Sequence, residues 1–502
     1  MSEIRIILST TVNELRVALL ENDNLTEFFI ERADIERMVG NIYKGRVVSV
    51  HSGLQAAFVD IGVEKAAFLP LSRISDENEF DIEEEFSPPS ERLPVESGDE
   101  ILVQVTKDPL GSKGARLTTN ISIPGKFLVF TPFNNRIAIS RKILNRRERE
   151  RLRKIVRKNK PKDEGFIIRT AAEGKKVDDF KTDIKNLLKL WMRIRKSAQR
   201  KEKKNVPALI HKDAELIIRI MRDLFKEDIE EVIVDSKVAY NKVHGYVKLI
   251  TPHMLDKVKL YSGKSPVFKA YGIQKQIDKM LNRKVKLKSG GYIIIEPTEA
   301  LISIDVNSGK SSVDSIPEEL ALTTNMESAE EIAKQLRLRD IGGIIVVDFI
   351  DMEREGNKKK VVLAFKRGMR NDRARAKVLD INYLGLMELT RKRVSPGISQ
   401  TFFATCPLCE GKGRVLSQTY LSLKIIRGFE SNIKKLEGRT ITICGHPNFI
   451  EYFAKEFSET LIYFSKKFRI SLSLKKDESV MVSSPKIFDN ETLKDITRSI
   501  LE

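Results

Sequence analysis

Two short apolar runs that carry carboxylates constrain this chain more than any other feature: Ala300-Leu-Ile-Ser-Ile-Asp305-Val-Asn307-Ser and Ile344-Ile-Val-Val-Asp348-Phe-Ile-Asp351-Met. Both read as strands. In the first, period-two alternation puts Ser303, Asp305 and Asn307 on one face and Ile302, Ile304 and Val306 on the other. The second is apolar nearly throughout, the pattern of a strand covered on both faces. An ionised carboxylate in such a run is costly unless compensated, and a bound cation is one common compensation. If the two strands are neighbours, Asp305 and Asp348 can chelate one hard metal, with Asn307 beside them. For one such aspartate a helix cap or an arginine partner is the better account, but two runs of this kind favour the metal. Asp351 lies three residues beyond Asp348, so alternation turns it to the other face and out of the site.

At 502 residues the chain exceeds one core, and about 150 residues per domain gives three or four domains. No apolar run reaches the roughly 18 residues of a membrane span. Met1-Ser-Glu-Ile-Arg-Ile-Ile-Leu enters a strand pattern directly, without a signal-peptide or transit-peptide texture, which predicts a cytoplasmic protein. The net charge of +19 points to a polyanionic partner, provided the basic groups cluster.

Residues 1–36 predict a small antiparallel sheet, completed by residues 214–262, where a helical pattern leads into Glu231-Val-Ile-Val-Asp235. From residue 37 to 124, short strands with Gly-bearing turns predict a closed barrel, interrupted by an acidic stretch at 76–97. Phe58 and Phe68 there are either core or, with Lys107, Lys113 and Arg116 nearby, stacking platforms for a single-stranded nucleic acid. Residues 125–213 mix strands with basic helices, and the basic run at 200–204 reads as an exposed loop. Arg169-Thr170 closes a strand with a cation and a hydroxyl, a pairing suited to a terminal phosphate. From 281 to 402, strands alternate with helices in a layered α/β pattern. Its Arg337, Arg339, Arg367, Arg370, Arg373 and Arg375 are expected to surround the paired acids and hold a phosphate substrate. The last residues, 417–502, read as a small α/β domain without a catalytic cluster.

Cys406-Pro-Leu-Cys409, followed by Gly-Lys-Gly, is half of a structural zinc site. Cys444 and His446 can complete it within the chain, or a two-fold dimer can supply two thiolates from each subunit. A redox role ranks third, because the motif lacks a thioredoxin-like βαβ setting.

Several long motifs, in order, resemble the ribonuclease E/G family of endoribonucleases. They are Ala56-Ala-Phe-Val-Asp60 with Phe68-Leu-Pro-Leu71, Ile167-Ile-Arg169-Thr170-Ala, Thr298 through Ser308, Arg337 through Met352, Asp372-Arg-Ala-Arg, and Cys406-Pro-Leu-Cys409. The match runs from about residue 1 to residue 416, and the C-terminal domain matches poorly by motif. The chain length resembles the short, ribonuclease G-like form rather than forms with a long disordered scaffold.

The resemblance implies a multidomain α+β protein. An RNase H-like fold (1–36 and 214–280) is split by an OB-fold RNA-binding barrel (37–124) and a 5′-sensor (125–213). A DNase I-like α/β catalytic domain (281–402), a zinc link (403–416) and the small C-terminal domain (417–502) follow. It assigns Mg²⁺ to Asp305 and Asp348, with Asn307 positioning the reacting groups. Phe58, Phe68 and Lys113 become RNA contacts, and Val129, Arg169 and Thr170 read a 5′-monophosphate. For Zn²⁺ it favours Cys406 and Cys409 shared between subunits of a homodimer or homotetramer. Arg373 is the expected cation beside the scissile phosphate. The expected activity is Mg²⁺-dependent endonucleolytic hydrolysis of single-stranded RNA, leaving 5′-phosphate and 3′-hydroxyl ends, in rRNA processing and mRNA decay. A non-catalytic RNA-binding or ribosome-associated protein explains the charge but not the two aspartates. A DNA nuclease is the third reading.

Overall fold

Three apolar strands open the chain. β1 (Ile4–Thr10), β2 (Glu14–Glu21) and β3 (Asn24–Arg32) form an antiparallel meander, and Asn22 and Asp23 supply the two positive-φ residues that a tight hairpin turn requires. The computed structural model describes residues 3–32, 37–71, 95–109, 113–201, 206–309, 317–374, 376–392, 401–409, 411–481 and 484–501. Two compact units, Met1–Gly397 and Ile398–Glu502, divide the chain.

The barrel follows, with β4 (Ile42–His51), β5 (Ala56–Asp60), β6 (Ala67–Pro70), β7 (Glu100–Lys107) and β8 (Arg116–Thr118). β4 pairs with both β5 and β7, which closes the ring through β6 and β8 around Val47, Val59, Leu69, Val103 and Leu117. Most of the acidic interruption lies outside the described residues.

A second module contains β9 (Ile123–Pro124), β10 (Leu128–Thr131), β11 (Ile137–Ile139), α1 (Arg146–Asn159), β12 (Gly165–Ile168) and α2 (Val177–Lys201). Asn145 caps α1 by accepting the N–H groups of Arg147 and Glu148, which leaves an apolar stripe of Leu152, Ile155 and Val156 to bury against the sheet. Arg200 and Lys201 end α2 instead of lying in an exposed loop, and 202–205 are outside the described residues. β13 (Ala208–His211) then returns to pair with β4.

α3 (Leu216–Leu224), β14 (Ile229–Val234), α4 (Lys237–Ile250) and β15 (Val258–Leu260) bring the chain back to its beginning. β14 runs parallel to β1, giving one five-stranded sheet in the order β15-β14-β1-β2-β3, with α3 and α4 packed on its apolar face. Two short helices, α5 (Val267–Ala270) and α6 (Ile273–Met280), lead out of it.

The carboxylate-bearing runs lie in the next sheet. Its strands are β16 (Lys284–Lys286), β17 (Tyr292–Pro297), β18 (Leu301–Asn307), β19 (Gly343–Asp348), β20 (Ala376–Val378) and β21 (Leu386–Arg391). α7 (Pro317–Leu338) crosses from β18 to β19, and α8 (Glu355–Gly368) follows β19. The order is β16-β17-β18-β19-β21-β20, and β18 and β19 are parallel. Ile293, Ile295, Ile304, Val306, Ile345, Val347, Met387 and Leu389 bury one face beneath both helices. Each such side chain contributes about 1.5–3 kcal/mol. The helices approach closely at Gly368, where a Cβ would lie 2.7 Å from that of Ala333. The other face is open: Ile344 is 52% exposed, and Asp305 and Asp348 are exposed. Among the described residues the 344–348 strand is therefore covered on one face only, because both helices pack on the same side.

In the second unit, β22 (Thr440–Gly445) and β23 (Ser471–Lys476) pair in parallel around helices Pro447–Glu456 and Ser458–Phe468, with an antiparallel edge beyond β22. No helix among the described residues is long and apolar enough to cross a membrane.

Candidate functional site

Asp305 and Asp348 are direct register partners across β18 and β19, on the open face. Asn307, on that same face, donates from Nδ2 to Oδ2 of Asp305 at 2.7 Å, which fixes that carboxylate's orientation. The Asp348 carboxyl titrates above the ordinary range, first because of partial burial and then because of the negative charges of Asp305 and Asp351. β19 ends at Asp348, so strand alternation does not extend to Asp351, whose exposed carboxylate does act on Asp348. Neither Asp305 nor Asp348 has an ion pair among the described residues. Two such carboxylates, side by side and mutually repelling, with Asp305 oriented by Asn307, fit a hard divalent cation. No three His, Cys, Asp or Glu side chains gather as a metal cluster among the described residues.

Three of the arginines expected around this pair, Arg337, Arg339 and Arg373, have partners elsewhere. α7 and α8 pack on the opposite face of the sheet. Arg337 lies 3.8 Å from both Glu21 and Glu27. The buried Arg339 bonds Gln335 at 2.7 Å and the Asn282 carbonyl at 2.9 Å. Arg373 donates to the Glu27 carboxylate and lies 4.9 Å over the Phe29 ring. In this structure its guanidinium serves the N-terminal sheet. Arg375 is outside the described residues. Cations on the open face come instead from edge strands: register places Lys284 beyond Ile294, the partner of Asp305, and Lys286 beyond Tyr292, the partner of Asn307. Both lysines are exposed, and Lys284 Nζ lies 3.4 Å from the Tyr292 ring centre. Their sequence signal was the Lys-Val-Lys alternation of β16.

On the barrel, Phe58 and Phe68 are cross-strand partners with ring centres 6.0 Å apart. Each is half-buried. His51, which sequence reasoning missed, packs edge-on at 5.4 Å against Phe58 and extends the aromatic row; it shares the β4 face of Ser49, the partner of Phe58. Phe68 is in register with Arg116, and Lys113 is exposed just before β8.

In the second module, β12 ends at Ile168, so Arg169 and Thr170 lie just past the strand, at a 3₁₀ turn. Arg169 donates to the Gly125 carbonyl and to Asp223, both at 2.7 Å. Thr170 Oγ1 lies 3.0 Å from Ser140 Oγ. Val129 faces Ile167 in register, but its side chain is fully buried against Ala138 and Ile167, so it supports the strand from within.

Cys406, exposed, and Cys409, half-buried, form a knuckle. The N–H groups of Cys409 and Leu408, with the Cys409 thiol, lower the Cys406 pKa, and Gly411 and Gly413 take the positive φ that the turn needs. These features fit half of a zinc site. Cys444 is instead buried on β22, 3.9 Å from Asp477, and His446 caps a helix by accepting the Asn448 N–H. With no cluster of three ligands among the described residues, closure by Cys444 and His446 is corrected. A βαβ unit is present after all, at β22 and β23, but Cys406 and Cys409 precede it.

The sequence profile of the ribonuclease E/G family matches residues 122–394. Residues 36–110 match the S1 RNA binding domain, and residues 405–490 match the RNase E/G thioredoxin-like domain, which extends the similarity into the C-terminal unit. Ribonuclease G of Haemophilus influenzae is 38% identical over 468 residues, covering 92% of this chain and 94% of that protein. Ribonuclease G of Escherichia coli is 38% identical over 425 residues, 84% of this chain and 86% of that protein. Ribonuclease E of Haemophilus influenzae is 36% identical over 98% of this chain, which spans 53% of that longer protein.

Proposed function

The chain belongs to the ribonuclease E/G family and is an endoribonuclease of RNA processing, and from that premise we propose that it hydrolyses single-stranded RNA on the open face that carries Asp305 and Asp348. The observation that supports this reading most directly is the register of those two aspartates. Asp305 and Asp348 would hold Mg²⁺, which when bound supplies charge neutralisation at the phosphate and a water of lowered pKa. Asn307 keeps the Asp305 carboxylate oriented to hold that ion and positions the reacting groups. Lys284 and Lys286 hold the backbone on the same face by charge. Phe58, Phe68 and His51 stack unpaired bases, and Lys113 and Arg116 neutralise the phosphates between them. Attack of water in line with the leaving 3′-oxygen leaves 5′-phosphate and 3′-hydroxyl ends.

Arg169 and Thr170 receive a 5′-monophosphate, so RNA whose 5′ end carries one phosphate is cut preferentially. The N-terminal sheet is RNase H-like, the carboxylate-bearing domain is DNase I-like, and Cys406 and Cys409 share Zn²⁺ with a second subunit in a homodimer or homotetramer. The expected setting is cytoplasmic rRNA maturation and mRNA decay. A non-catalytic RNA-binding protein would use the same barrel but gives Asp305 and Asp348 no task. Purified protein, Mg²⁺ and a 5′-monophosphorylated single-stranded oligoribonucleotide separate the two: intact substrate rejects the nuclease. Asp305→Asn and Asp348→Asn should abolish cleavage while RNA binding persists, and a variant that cuts at the normal rate removes the metal assignment.

A further inference from the structure

Arg169 is held from outside its own module. Besides the Gly125 carbonyl, and the Lys126 carbonyl at 3.4 Å, its guanidinium bonds Asp223 on α3. α3 buries Ile217, Ile220, Met221 and Leu224 in the core of the N-terminal sheet, so Asp223 is anchored in a different layer from the strand that leads to Arg169. Asp223 also accepts from Arg222, Nε at 3.1 Å and Nη2 at 3.2 Å, and Arg222 reaches the Pro124 carbonyl at 3.3 Å. The turn bearing these carbonyls is braced in turn by Asp183, which accepts the N–H groups of Lys126, Phe127 and Leu128. A Cβ at Gly125 would lie 2.7 Å from the Asp183 carboxylate oxygens, so the bracing requires glycine. Burial alone would raise the Asp223 carboxyl; Arg169 and Arg222 outweigh it and hold the group at about 2.

One acid between two guanidiniums leaves the triad with one net positive charge, so it still attracts a phosphate. Arg169 is fixed through Nη1 and Nη2, and its Nε has no hydrogen-bond partner among the described residues. A long, rotamer-rich side chain thus presents one free donor edge in a set orientation.

We propose that Asp223 is a positioning residue for 5′-end recognition: by holding the Arg169 guanidinium it presents the Nε edge to a terminal phosphate and sets the preference for monophosphorylated over 5′-hydroxyl RNA. The proposal rests on the reading of Arg169 as the 5′-phosphate contact. Its test is the ratio of kcat/KM for one oligoribonucleotide prepared with a 5′-monophosphate or a 5′-hydroxyl. Asp223→Asn should lower that ratio about tenfold, the loss falling on the monophosphorylated substrate, and Asp223→Glu should recover part of it. In an Arg169→Gln background, Asp223→Asn should lower the ratio no further. An unchanged ratio in Asp223→Asn, equal losses on both substrates, or a further drop in the double variant overturns the role of Asp223. If Arg169→Gln leaves the wild-type ratio intact, the reading of Arg169 fails by a separate result and the proposal falls with it.

Discussion

Glu27 and Arg373, 346 residues apart, meet as carboxylate and guanidinium, and the same carboxylate lies 3.8 Å from Arg337 on α7. Strand β3 of the N-terminal sheet is thereby pinned to the domain that carries Asp305 and Asp348. Arg373→Ala should cost stability, about 1–3 kcal/mol, since it strips a mostly buried glutamate of one partner. Cleavage per folded molecule should stay within a few-fold of wild type. Urea unfolding beside cleavage rates decides: an unchanged midpoint with collapsed cleavage would mean that Arg373 acts on RNA.

Asn307→Ala removes the 2.7 Å hydrogen bond that orients Asp305. Groups that orient a metal ligand typically contribute about 10- to 100-fold in affinity or activity. Cleavage should fall by that range and require more Mg²⁺. A normal Mg²⁺ titration curve in the variant would show that Asp305 needs no such support.

The paired rings of Phe58 and Phe68 predict a binding defect distinct from a catalytic one. Phe58→Ala should weaken binding of a single-stranded oligoribonucleotide by about 1–3 kcal/mol, the usual contribution of one stacked base. His51→Ala should cost less, since its ring extends the row at one end. Fluorescence anisotropy measures both, and wild-type affinity in Phe58→Ala would return that ring to the barrel core.

The Cys406–Cys409 knuckle presents two thiols, where a structural zinc site takes four ligands. One zinc per two chains is expected by metal analysis of the native oligomer. Cys406→Ser should lose the zinc and shift the oligomer towards monomer in sedimentation, whereas a zinc-free wild-type oligomer would leave the knuckle without that role.

Local periodicity made much of the site's composition legible, because a strand's alternation fixes which residues share a face. Asp305 and Asn307 were placed together that way. The open face of the second run is not legible in the sequence, since Ile344 and Val346 are apolar although no helix among the described residues covers them. Asp351 was set aside by extending alternation past the last residue of β19, a boundary that the sequence does not mark. The Glu27 partner of Arg373 and the Asp223 partner of Arg169 are distant in sequence, so neither pairing is legible there. Pairings of that kind are set by how separate sheets and helices meet.

Burial pushes the Lys126 ammonium down to about 8, with Lys175 adding to the shift and Asp183 opposing it. The unfolded value is near 10.5, so at pH 7 both states carry the proton and the folded state bears the cost of burying it. Between about pH 8 and pH 10.5 the unfolded chain holds the proton and the folded chain does not, so stability rises with pH there, by up to about 3 kcal/mol. The rings of Phe127 and Phe225, 5.7 and 5.8 Å from Nζ, offset part of that cost. Lys126→Met should therefore be more stable than wild type at pH 7, by about 1–3 kcal/mol, and the gap should close as pH approaches 10.5. Urea unfolding at pH 7 and pH 10 measures it. A gap that stays constant between those values would mean that Lys126 keeps its proton in the folded chain, and that the two aromatic rings and Asp183 compensate its burial in full.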